Sequence, residues 1–291
     1  MAVNGENAIT LGTSVLQVRS GASSDVGRVR KINEDSYLAE PPVYFVADGM
    51  GGHAHGDAAS QTVIRVFTDH IEENVPSTPE RILDAIHSSN DAVRLLSSDE
   101  DFGTAMSGTT LAGVAIVDAG DGIGFHWMAF NVGDSRIYTW DGRDLSQLSV
   151  DHSAVQEMVE AGLIKASDAE KHPVSNVITR AIGADEFVDA DVWLQPATGT
   201  HTFLICSDGL TKELSVREMA AVLAGRGERD LGELADELVA AALAKGGRDN
   251  VTVVIVESTW GDPDHDTDVT RERATGMHEH LEDTRPRTTN P

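Results

Sequence analysis

Strand-like and helix-like segments follow one another in this 291-residue chain in an order that few architectures can accommodate. A strand-like run near residue 45 is followed by two helical segments, then by a series of strand-like runs, and finally by helices and strands again. This order lacks the regular strand–helix–strand alternation of a doubly wound parallel sheet. It predicts an α+β fold in which antiparallel sheets are covered by paired helices.

Strands are assigned to runs rich in β-branched and aromatic residues, and helices to runs whose apolar residues recur at three- and four-residue steps. The strand-like runs cover residues 43–47, 109–117, 124–132, 135–140, 202–207 and 251–257. One helix is predicted within 56–74, and a second begins with Thr78 as N-cap and Pro79 as its first residue. Two more are predicted near 216–223 and 231–245. Asp-Gly pairs at Asp121 and Asp141 predict hairpin turns.

Three regions are distinguished along the chain. Residues 1–14 are polar and weakly patterned, which predicts a loose N-terminal arm or an edge strand. Residues 15–258 alternate between strand-like and helix-like patterns and are expected to form one domain with a substantial core. Residues 259–291 form an acidic tail with almost no large apolar side chains, and this tail is expected to be disordered.

The formal net charge of −26 disfavours several classes of partner. A surface this acidic repels nucleic acid and anionic lipid, and it attracts divalent cations. No apolar run reaches the ~18 residues of a membrane span, and the N-terminus lacks the pattern of a secretory signal. The single cysteine, Cys206, rules out an internal disulfide. We therefore expect a cytoplasmic protein, a monomer, that binds neither nucleic acid nor membranes.

Carboxylates stand at the ends of several strand-like runs. Asp48 and Asp208 each follow a nearly or fully apolar run and precede a glycine, whereas Asp249 stands just before a run. A single Asp-Gly pair is ordinarily a turn or a helix cap. Buried strands that lie side by side would, however, bring these acids to one edge together with Glu34 and Asp35. Converged carboxylates repel one another unless a cation lies among them, and such oxygen ligands select Mg²⁺, Mn²⁺ or Ca²⁺.

A pair of divalent ions at such an edge suits phosphoryl transfer. Two ions about 3.5–4 Å apart could share a water molecule and convert it to a hydroxide nucleophile at neutral pH. The reaction also needs positive charge on the equatorial phosphate oxygens, a task for which the planar fork of an arginine is suited. Arg30 is a candidate for this role, and a surface ion pair is the alternative.

Eight short motifs occur in a fixed order over most of the chain. They are GRVRKINED at 27–35, VADGMGGH at 46–53, SGTT at 107–110, NVGDSR at 131–136, DHS at 151–153, ITRAIG at 178–183, SDGL at 207–210 and DNVT at 249–252. Each is weak alone, but the ordered set resembles the bacterial serine/threonine phosphatase branch of the metal-dependent protein phosphatase family, also called the protein phosphatase 2C family. The resemblance implies a four-layer α-β-β-α sandwich, with two antiparallel sheets, flanking paired helices and a metal site in a cleft at one end.

The resemblance also implies the ligands of two Mn²⁺ or Mg²⁺ ions. Asp48 matches the residue that bridges both ions, and the backbone carbonyl of Gly49 matches a further ligand. Asp208 and Asp249 match the acids that hold the first ion.

The other matched residues lie around this pair. Asp35 and Glu34 match acids at the second ion, partly through water, and Arg30 matches the phosphate-binding arginine. Bacterial relatives often bind a third, weaker ion, whose ligands match Asp134 and Asp208. A turn-capping role is the alternative for Asp134.

Histidine chemistry is less well defined by the sequence. The animal branch has a histidine, the proposed general acid, directly after the Asp-Gly pair, where this chain has Met50. His53 is the candidate for protonating the leaving group, and a loop histidine without a catalytic task is the alternative. His53 and His55 without a third nitrogen or sulfur ligand are weak evidence for zinc. Residues 162–173 match the flap of the family, which we expect to contribute to substrate choice, with an inert surface loop as the alternative.

The resemblance predicts a protein serine/threonine phosphatase, a phosphoric monoester hydrolase of signalling, with residues 15–258 as its catalytic domain. It would hydrolyse phosphoserine and phosphothreonine in proteins through a metal-bridging hydroxide. Its substrates would be proteins phosphorylated by bacterial serine/threonine kinases. The alternative is a catalytically weak phosphoprotein-binding regulator of the same fold. A nuclease is disfavoured by the acidic charge.

Overall fold

The computed structural model describes residues 3–51, 56–97, 107–120, 122, 124–169 and 171–261. Two antiparallel sheets pack face to face. The first contains, in spatial order, β1 (Val3–Leu11), β2 (Ser14–Asp25), β12 (Val251–Gly261), β11 (Thr200–Cys206), β8 (Arg136–Trp140) and β9 (Leu145–Gln147). The second contains β10 (Asp191–Pro196), β7 (Phe125–Val132), β6 (Leu111–Asp118), β4 (Val43–Met50) and β3 (Asp35–Glu40), with the short β5 (Gly108–Thr109) paired to β4.

Helices cover the outer face of each sheet. The second sheet packs against α1 (Gly56–His70) and α2 (Pro79–Ser97), and the first packs against α6 (Val216–Ala224) and α7 (Leu231–Lys245). The short helices α3 (Ala154–Glu160), α4 (Ala166–Ala169) and α5 (Asp208–Thr211) lie in the connections. The predicted four-layer α-β-β-α sandwich is confirmed. In the described part of the chain, no helix combines the length and the apolar character that crossing a membrane requires.

Burial on both faces explains why β4 is apolar before its last residues. Tyr44 and Val46 belong to the core between the sheets, whereas Phe45 belongs to the core under α1 and α2. Successive side chains of a strand point to opposite faces, so a strand buried on both faces has no polar position. Phe45 packs on Phe67 of α1 with ring centroids 4.8 Å apart. The end of β4 is therefore held in a fixed place inside the molecule.

The N-terminal hairpin forms one edge of the first sheet. Residues 3–11 are the edge strand β1, which is one of the two alternatives for the N-terminal region, and Ile9 and Leu11 reach the core between the sheets. A Cβ at Gly21 of β2 would lie 2.1 Å from the backbone carbon of Leu231, so glycine permits the close approach of α7. At the other terminus β12 continues to Gly261, and the residues of the predicted acidic tail from 262 onward lie outside the described part.

Local sequence signals set several boundaries. The Asp230 side chain accepts a hydrogen bond from the backbone N–H of Glu233 at 2.8 Å and caps α7. Thr78 Oγ1 accepts one from the third residue of α2 at 3.3 Å. At the hairpin between β8 and β9, Asp141 Oδ1 accepts hydrogen bonds from the backbone N–H of Arg143 at 2.8 Å and from that of Asp144 at 2.7 Å. Asp121 of the other predicted hairpin lies outside the described residues.

Candidate metal centre

Five aspartates come together at one end of the two sheets, although they lie on different elements. Asp48 near the end of β4 is paired in register with Asp35 at the start of β3. Asp208 follows β11 and Asp249 precedes β12, and these strands are antiparallel neighbours. Asp134 lies between β7 and β8, which belong to different sheets. The strand ends thus bring acids of both sheets within electrostatic reach of one another.

Asp35 is buried and its two oxygens have different surroundings. Oδ2 accepts hydrogen bonds from Ser207 Oγ at 2.8 Å and from Thr252 Oγ1 at 2.7 Å. Oδ1 has no hydrogen-bond partner among the described residues. Burial raises the pKa of Asp35 to about 7, because its effect exceeds that of the two hydrogen bonds, which lower the pKa.

The neighbouring carboxylates disfavour one another's charged form. Burial, followed by the charges of the other four aspartates, raises the pKa of Asp48 well above its usual value. Burial and then the charge of Asp208 raise the pKa of Asp134 to about 7. Burial also raises the pKa of Asp208, against the opposing effect of Lys212. A cluster of this kind holds its full negative charge only beside compensating positive charge.

The donor set fits a hard divalent cation. Buried oxygens without a hydrogen-bond partner in the described part of the chain include Oδ1 of Asp35, of Asp134 and of Asp208. An unpaired buried carboxylate oxygen is costly, and such oxygens are the ligands that Mg²⁺ and Mn²⁺ prefer. No three His, Cys, Asp or Glu side chains among the described residues are arranged ready to hold one ion. Two cationic side chains lie among the acids and contact Asp208 and Asp249.

Lys212 is the first of these cations. Its Nζ lies 2.5 Å from Oδ2 of Asp208 and 3.2 Å from Oδ2 of Asp249. The lysine directly follows α5 and stands four residues after Asp208. Burial lowers the pKa of Lys212, but the charges of the two aspartates outweigh this effect and raise the pKa above its ordinary value.

Arg30 is the second cation and holds Asp249 with two nitrogens. Its Nε lies 2.8 Å from Oδ1 and its Nη2 donates to Oδ2 at 3.1 Å. The side chain is half exposed. The ion pair that was the alternative interpretation of Arg30 is therefore present, and its partner is one of the convergent acids.

Glu34 and Gly49 lie against the start of α1. The N–H of Gly49 donates to the carbonyl of Glu34 at 3.2 Å. A Cβ on Gly49 would lie 2.1 Å from the carbonyl oxygen of Gly56, and a Cβ on Gly56 would lie 2.6 Å from Oε1 of Glu34. Both glycines are required for this approach, which places Glu34 beside the strand end that carries Asp48.

Asn250 fixes the segment that carries Arg30 and Glu34. Its Oδ1 accepts a hydrogen bond from the N–H of Glu34 at 2.9 Å, and its Nδ2 donates to the carbonyls of Val26 and Ile32 at 2.9 and 3.0 Å. One buried amide thus ties the loop between β2 and β3 to the start of β12.

The SGTT motif forms hydrogen bonds with the segments that carry Asp48 and Asp134. Thr110 Oγ1 accepts a hydrogen bond from the backbone N–H of Asp48 at 3.0 Å and lies 2.7 Å from Ser135 Oγ. Ser135 follows Asp134 directly. These bonds give the SGTT motif a structural role at the site.

A cleft of about 520 Å³ opens beside the acids. Asp134, Asp208 and Asp249 line it together with Ala169 and Lys171 of the predicted flap segment 162–173. Its lining also includes the cationic residues Arg136, Lys212 and Arg248. The predicted flap therefore borders the same cleft as the acids.

Arg136 is bound to a further acid of the cleft. Its Nη2 lies 2.6 Å from Oδ2 of Asp151, and its Nε donates to both carboxylate oxygens at 3.0 Å. This ion pair joins the NVGDSR and DHS motifs and holds the turn that carries Asp134.

Some site residues were not found from sequence, and others lie outside the described residues. Sequence patterns assigned no role to Lys212, to Asn250 or to the Arg136–Asp151 pair. The spacing of four residues between Asp208 and Lys212 could have indicated that Lys212 lies near the site. His53 and His55 lie outside the part of the chain that the structure describes.

Two antiparallel sheets packed face to face, with a carboxylate cluster at one end, are the fold and site expected of a metal-dependent phosphatase. The sequence pattern of the family described as Protein phosphatase 2C matches residues 30–245. The chain is 37% identical over 243 residues to the serine/threonine phosphatase stp of Listeria welshimeri, covering 80% of this chain and 93% of that protein. It therefore belongs to the protein phosphatase 2C family, and the predicted family and enzyme class are confirmed.

Solved structures of serine/threonine phosphatases are also similar to this chain. The Mycobacterium tuberculosis serine/threonine phosphatase PstP/Ppp superposes with a TM-score of 0.72 at 33% identity, covering 82% of this chain and 97% of that chain. The catalytic domain of PstP in complex with two manganese ions gives a TM-score of 0.72 at 32% identity, with 84% and 99% of the two chains covered.

Proposed function

We propose that this chain is a protein serine/threonine phosphatase that hydrolyses phosphoserine and phosphothreonine with two Mn²⁺ or Mg²⁺ ions. The observation that carries the proposal is the convergence of five aspartates from both sheets, three of which have a buried oxygen without a hydrogen-bond partner among the described residues. The similarity to a phosphatase solved with two manganese ions supports it.

The first ion is assigned to Asp208 and Asp249, with Asp48 as the bridging ligand and the carbonyl of Gly49 beside it. Two observations support this assignment. Asp208 and Asp249 already share one cation, the ammonium of Lys212. The pKa of Asp48 responds, after burial, to the charges of all four other aspartates, so Asp48 has a central position.

The second ion is assigned to Asp35 and Glu34. Hydroxyl groups hold Oδ2 of Asp35, which leaves Oδ1 available for a ligand or for water. A third, weaker ion is assigned to Asp134 and Asp208, whose Oδ1 atoms are both buried and without a partner in the described part of the chain.

When bound, the ions supply a nucleophile from water and offset phosphate charge. The protein fixes the ligands in place through Ser207, Thr252 and Thr110, so that little reorganisation is needed during the reaction. Arg30 binds the phosphate oxygens, since its half-exposed fork lies against Asp249 at the edge of the cluster. His53 stays the predicted donor of a proton to the leaving group.

The first experiment measures phosphate release from a phosphothreonine peptide. We expect turnover with Mn²⁺ or Mg²⁺, loss of turnover with EDTA, and recovery when excess Mn²⁺ is added back. Full activity in chelator would reject the metal-dependent mechanism. Inhibitors of the okadaic acid type should have little effect, as the family membership implies.

Two other functions are separated by the same assay. A phosphoprotein-binding regulator of the same fold would bind the phosphopeptide without releasing phosphate in Mn²⁺. A nuclease would cleave single-stranded DNA, which the net charge of −26 opposes. The full set of Asp35, Asp48, Asp208 and Asp249 favours the enzyme.

The proposed substrates are phosphoproteins made by bacterial serine/threonine kinases, and the proposed setting is cytoplasmic signalling by a monomer. Cys206, the single cysteine, is buried in β11, which is consistent with a reducing compartment. The flap segment 162–173 is proposed to contribute to substrate choice because Ala169 and Lys171 line the cleft.

A further inference from the structure

Lys212 joins two aspartates that come from different strands. Its ammonium nitrogen lies 2.5 Å from Oδ2 of Asp208 and 3.2 Å from Oδ2 of Asp249. Arg30 differs, because its contacts in this cluster are with Asp249. The lysine therefore compensates the charge of the two aspartates that are assigned to the first ion.

We propose that Lys212 is a built-in counter-ion that competes with the metal ion at Asp208 and Asp249 and thereby weakens metal binding at that one site. This inference rests on the proposed function, because it takes these two aspartates as ligands of one ion. It goes beyond that function by assigning a control of metal affinity to a residue outside the ligand set.

Competition follows from the shared carboxylates. A divalent ion held by Asp208 and Asp249 would need oxygens of the same two carboxylates that Lys212 contacts. Two positive charges a few ångströms apart repel strongly in a partly buried site. The ion must therefore displace the ammonium, and the free energy of the lost ion pairs is subtracted from the free energy of metal binding.

The main chain around Lys212 is fixed while its side chain has room to move. The N–H of Lys212 donates to the carbonyl of Asp208 at 2.8 Å, and its carbonyl accepts from Nη2 of Arg248 at 3.3 Å. The side chain is 35% exposed and lines the cleft of about 520 Å³. The ammonium can leave the carboxylates by rotation of the side chain, without unfolding of α5.

The same contact has a second consequence for the metal-free protein. Asp208 is mostly buried among like charges, which without a cation would favour unfolding. Lys212 offsets part of that charge. Removal of its ammonium should therefore weaken the fold of the metal-free protein while strengthening metal binding, a combination that a purely structural lysine does not produce.

The test titrates Mn²⁺ by calorimetry into the full-length chain freed of metal, for wild type and for Lys212→Met. We expect Lys212→Met to lower the dissociation constant of the ion assigned to Asp208 and Asp249 by about tenfold, the scale of a charged hydrogen bond, and to leave that of the ion assigned to Asp35 and Glu34 within about twofold. Without metal, its thermal midpoint should fall below that of wild type. Lys212→Arg keeps the positive charge and should bind Mn²⁺ within about threefold of wild type.

Lys245→Met is the matched control. Lys245 Nζ lies 2.5 Å from Oε1 of Glu218 in an ion pair between α6 and α7 that includes none of the proposed ligands. This variant loses the same charge and should leave every metal-binding step unchanged.

A measurement on the unsubstituted protein removes any dependence on folding of the variants. Acetylation of Lys212 by an amine reagent, followed by mass spectrometry, should be faster in Mg²⁺ than in EDTA, with Lys245 as internal reference. Equal labelling rates, or Mn²⁺ affinity of Lys212→Met equal to or weaker than wild type, overturns the inference. Wild type that binds no Mn²⁺ and releases no phosphate would instead reject the proposed function.

Discussion

At the scale of single residues, the site consists of carboxylates that are unfavourable where they lie. Burial is the main cause of the raised pKa values of Asp35, Asp48, Asp134 and Asp208, and mutual repulsion adds to it. Side chains in such surroundings are retained at functional sites because the same arrangement binds a cation tightly. Substitution of a single acid should therefore affect activity more than stability.

Asp48→Asn gives the sharpest test at this scale. Loss of the proposed bridging ligand should reduce kcat/KM for a phosphopeptide by orders of magnitude, while circular dichroism and the thermal midpoint of the metal-free protein stay close to wild type, because a repelled charge is removed. If the variant keeps more than a tenth of the wild-type rate, a barrier change of about 1.4 kcal/mol, the bridging role is wrong.

Arg30→Ala separates binding from chemistry. A guanidinium that clamps the phosphate in the ground state should mainly raise KM for the phosphopeptide, and it should lower kcat less than Asp48→Asn does. Arg30→Lys should recover only part of the loss, because an ammonium cannot reproduce the planar fork. Mn²⁺ affinity measured by calorimetry should not weaken. Unchanged KM and kcat would leave Arg30 as the partner of Asp249 alone.

At the scale of elements, short connections position the acids. The loop between β2 and β3 carries Arg30 and Glu34, and the amide of Asn250 ties this loop to β12 by three hydrogen bonds. The flap segment, by contrast, lines the cleft, and its described residues make no hydrogen bond to any of the five convergent aspartates. The first connection is expected to serve metal binding and the second to serve substrate binding.

Asn250→Ala tests the first connection. Losing three bonds at a buried amide should lower the free energy of unfolding by about 2–4 kcal/mol and weaken Mn²⁺ binding. Asn90→Ala is the matched control, since buried Asn90 makes the same kind of bonds, to the N–H of Gly183 and to two carbonyls of another loop. It should lose similar stability in urea unfolding and keep its Mn²⁺ affinity. Equal affinity losses in both variants would contradict the assignment.

Lys171→Ala tests the flap. Lys171 is exposed and lines the cleft, so we expect a several-fold higher KM for a phosphopeptide but unchanged turnover of a small aryl phosphate, which does not reach the flap. Parallel kinetics on the two substrates supply the measurement. A loss of equal size on both would place Lys171 at the reaction itself, and no loss on either would favour the inert loop.

At the scale of the whole molecule, the sandwich brings like charges together and a bound cation would relieve their repulsion. Saturating Mn²⁺ should therefore raise the thermal midpoint, and a concentration one hundred times the dissociation constant should add about 2.7 kcal/mol to the free energy of unfolding. Scanning calorimetry with Mn²⁺, and again after excess EDTA, checks both the gain and its reversal. An unchanged midpoint would contradict metal binding by the folded state.

Sequence patterns predicted the strongly apolar strands of both sheets and missed strands that carry several polar residues. The serine-rich β2 is a strand because β1 and β12 pair with it on both sides. The edge strand β10 contains Asp191, Gln195 and Pro196 among its six residues, and within the described part of the chain it pairs with β7 alone. The first helix ends at His70, inside the predicted range 56–74, and Asn74 has a left-handed φ of 60° that is incompatible with continuing the helix. Boundaries of this kind depend on tertiary contacts.

The sequence by itself determined the family, the layer order and the aspartates at the strand ends, because these depend on the identity and order of residues. Only the tertiary structure decided what compensates the charge of those aspartates. Lys212 and Arg30 reach Asp249 from segments 37 and 219 residues away along the chain, and Asn250 contacts a segment 216 residues away. Coulomb energy depends on distance in space, so such partners become visible when strands from the two ends of the chain meet in one sheet.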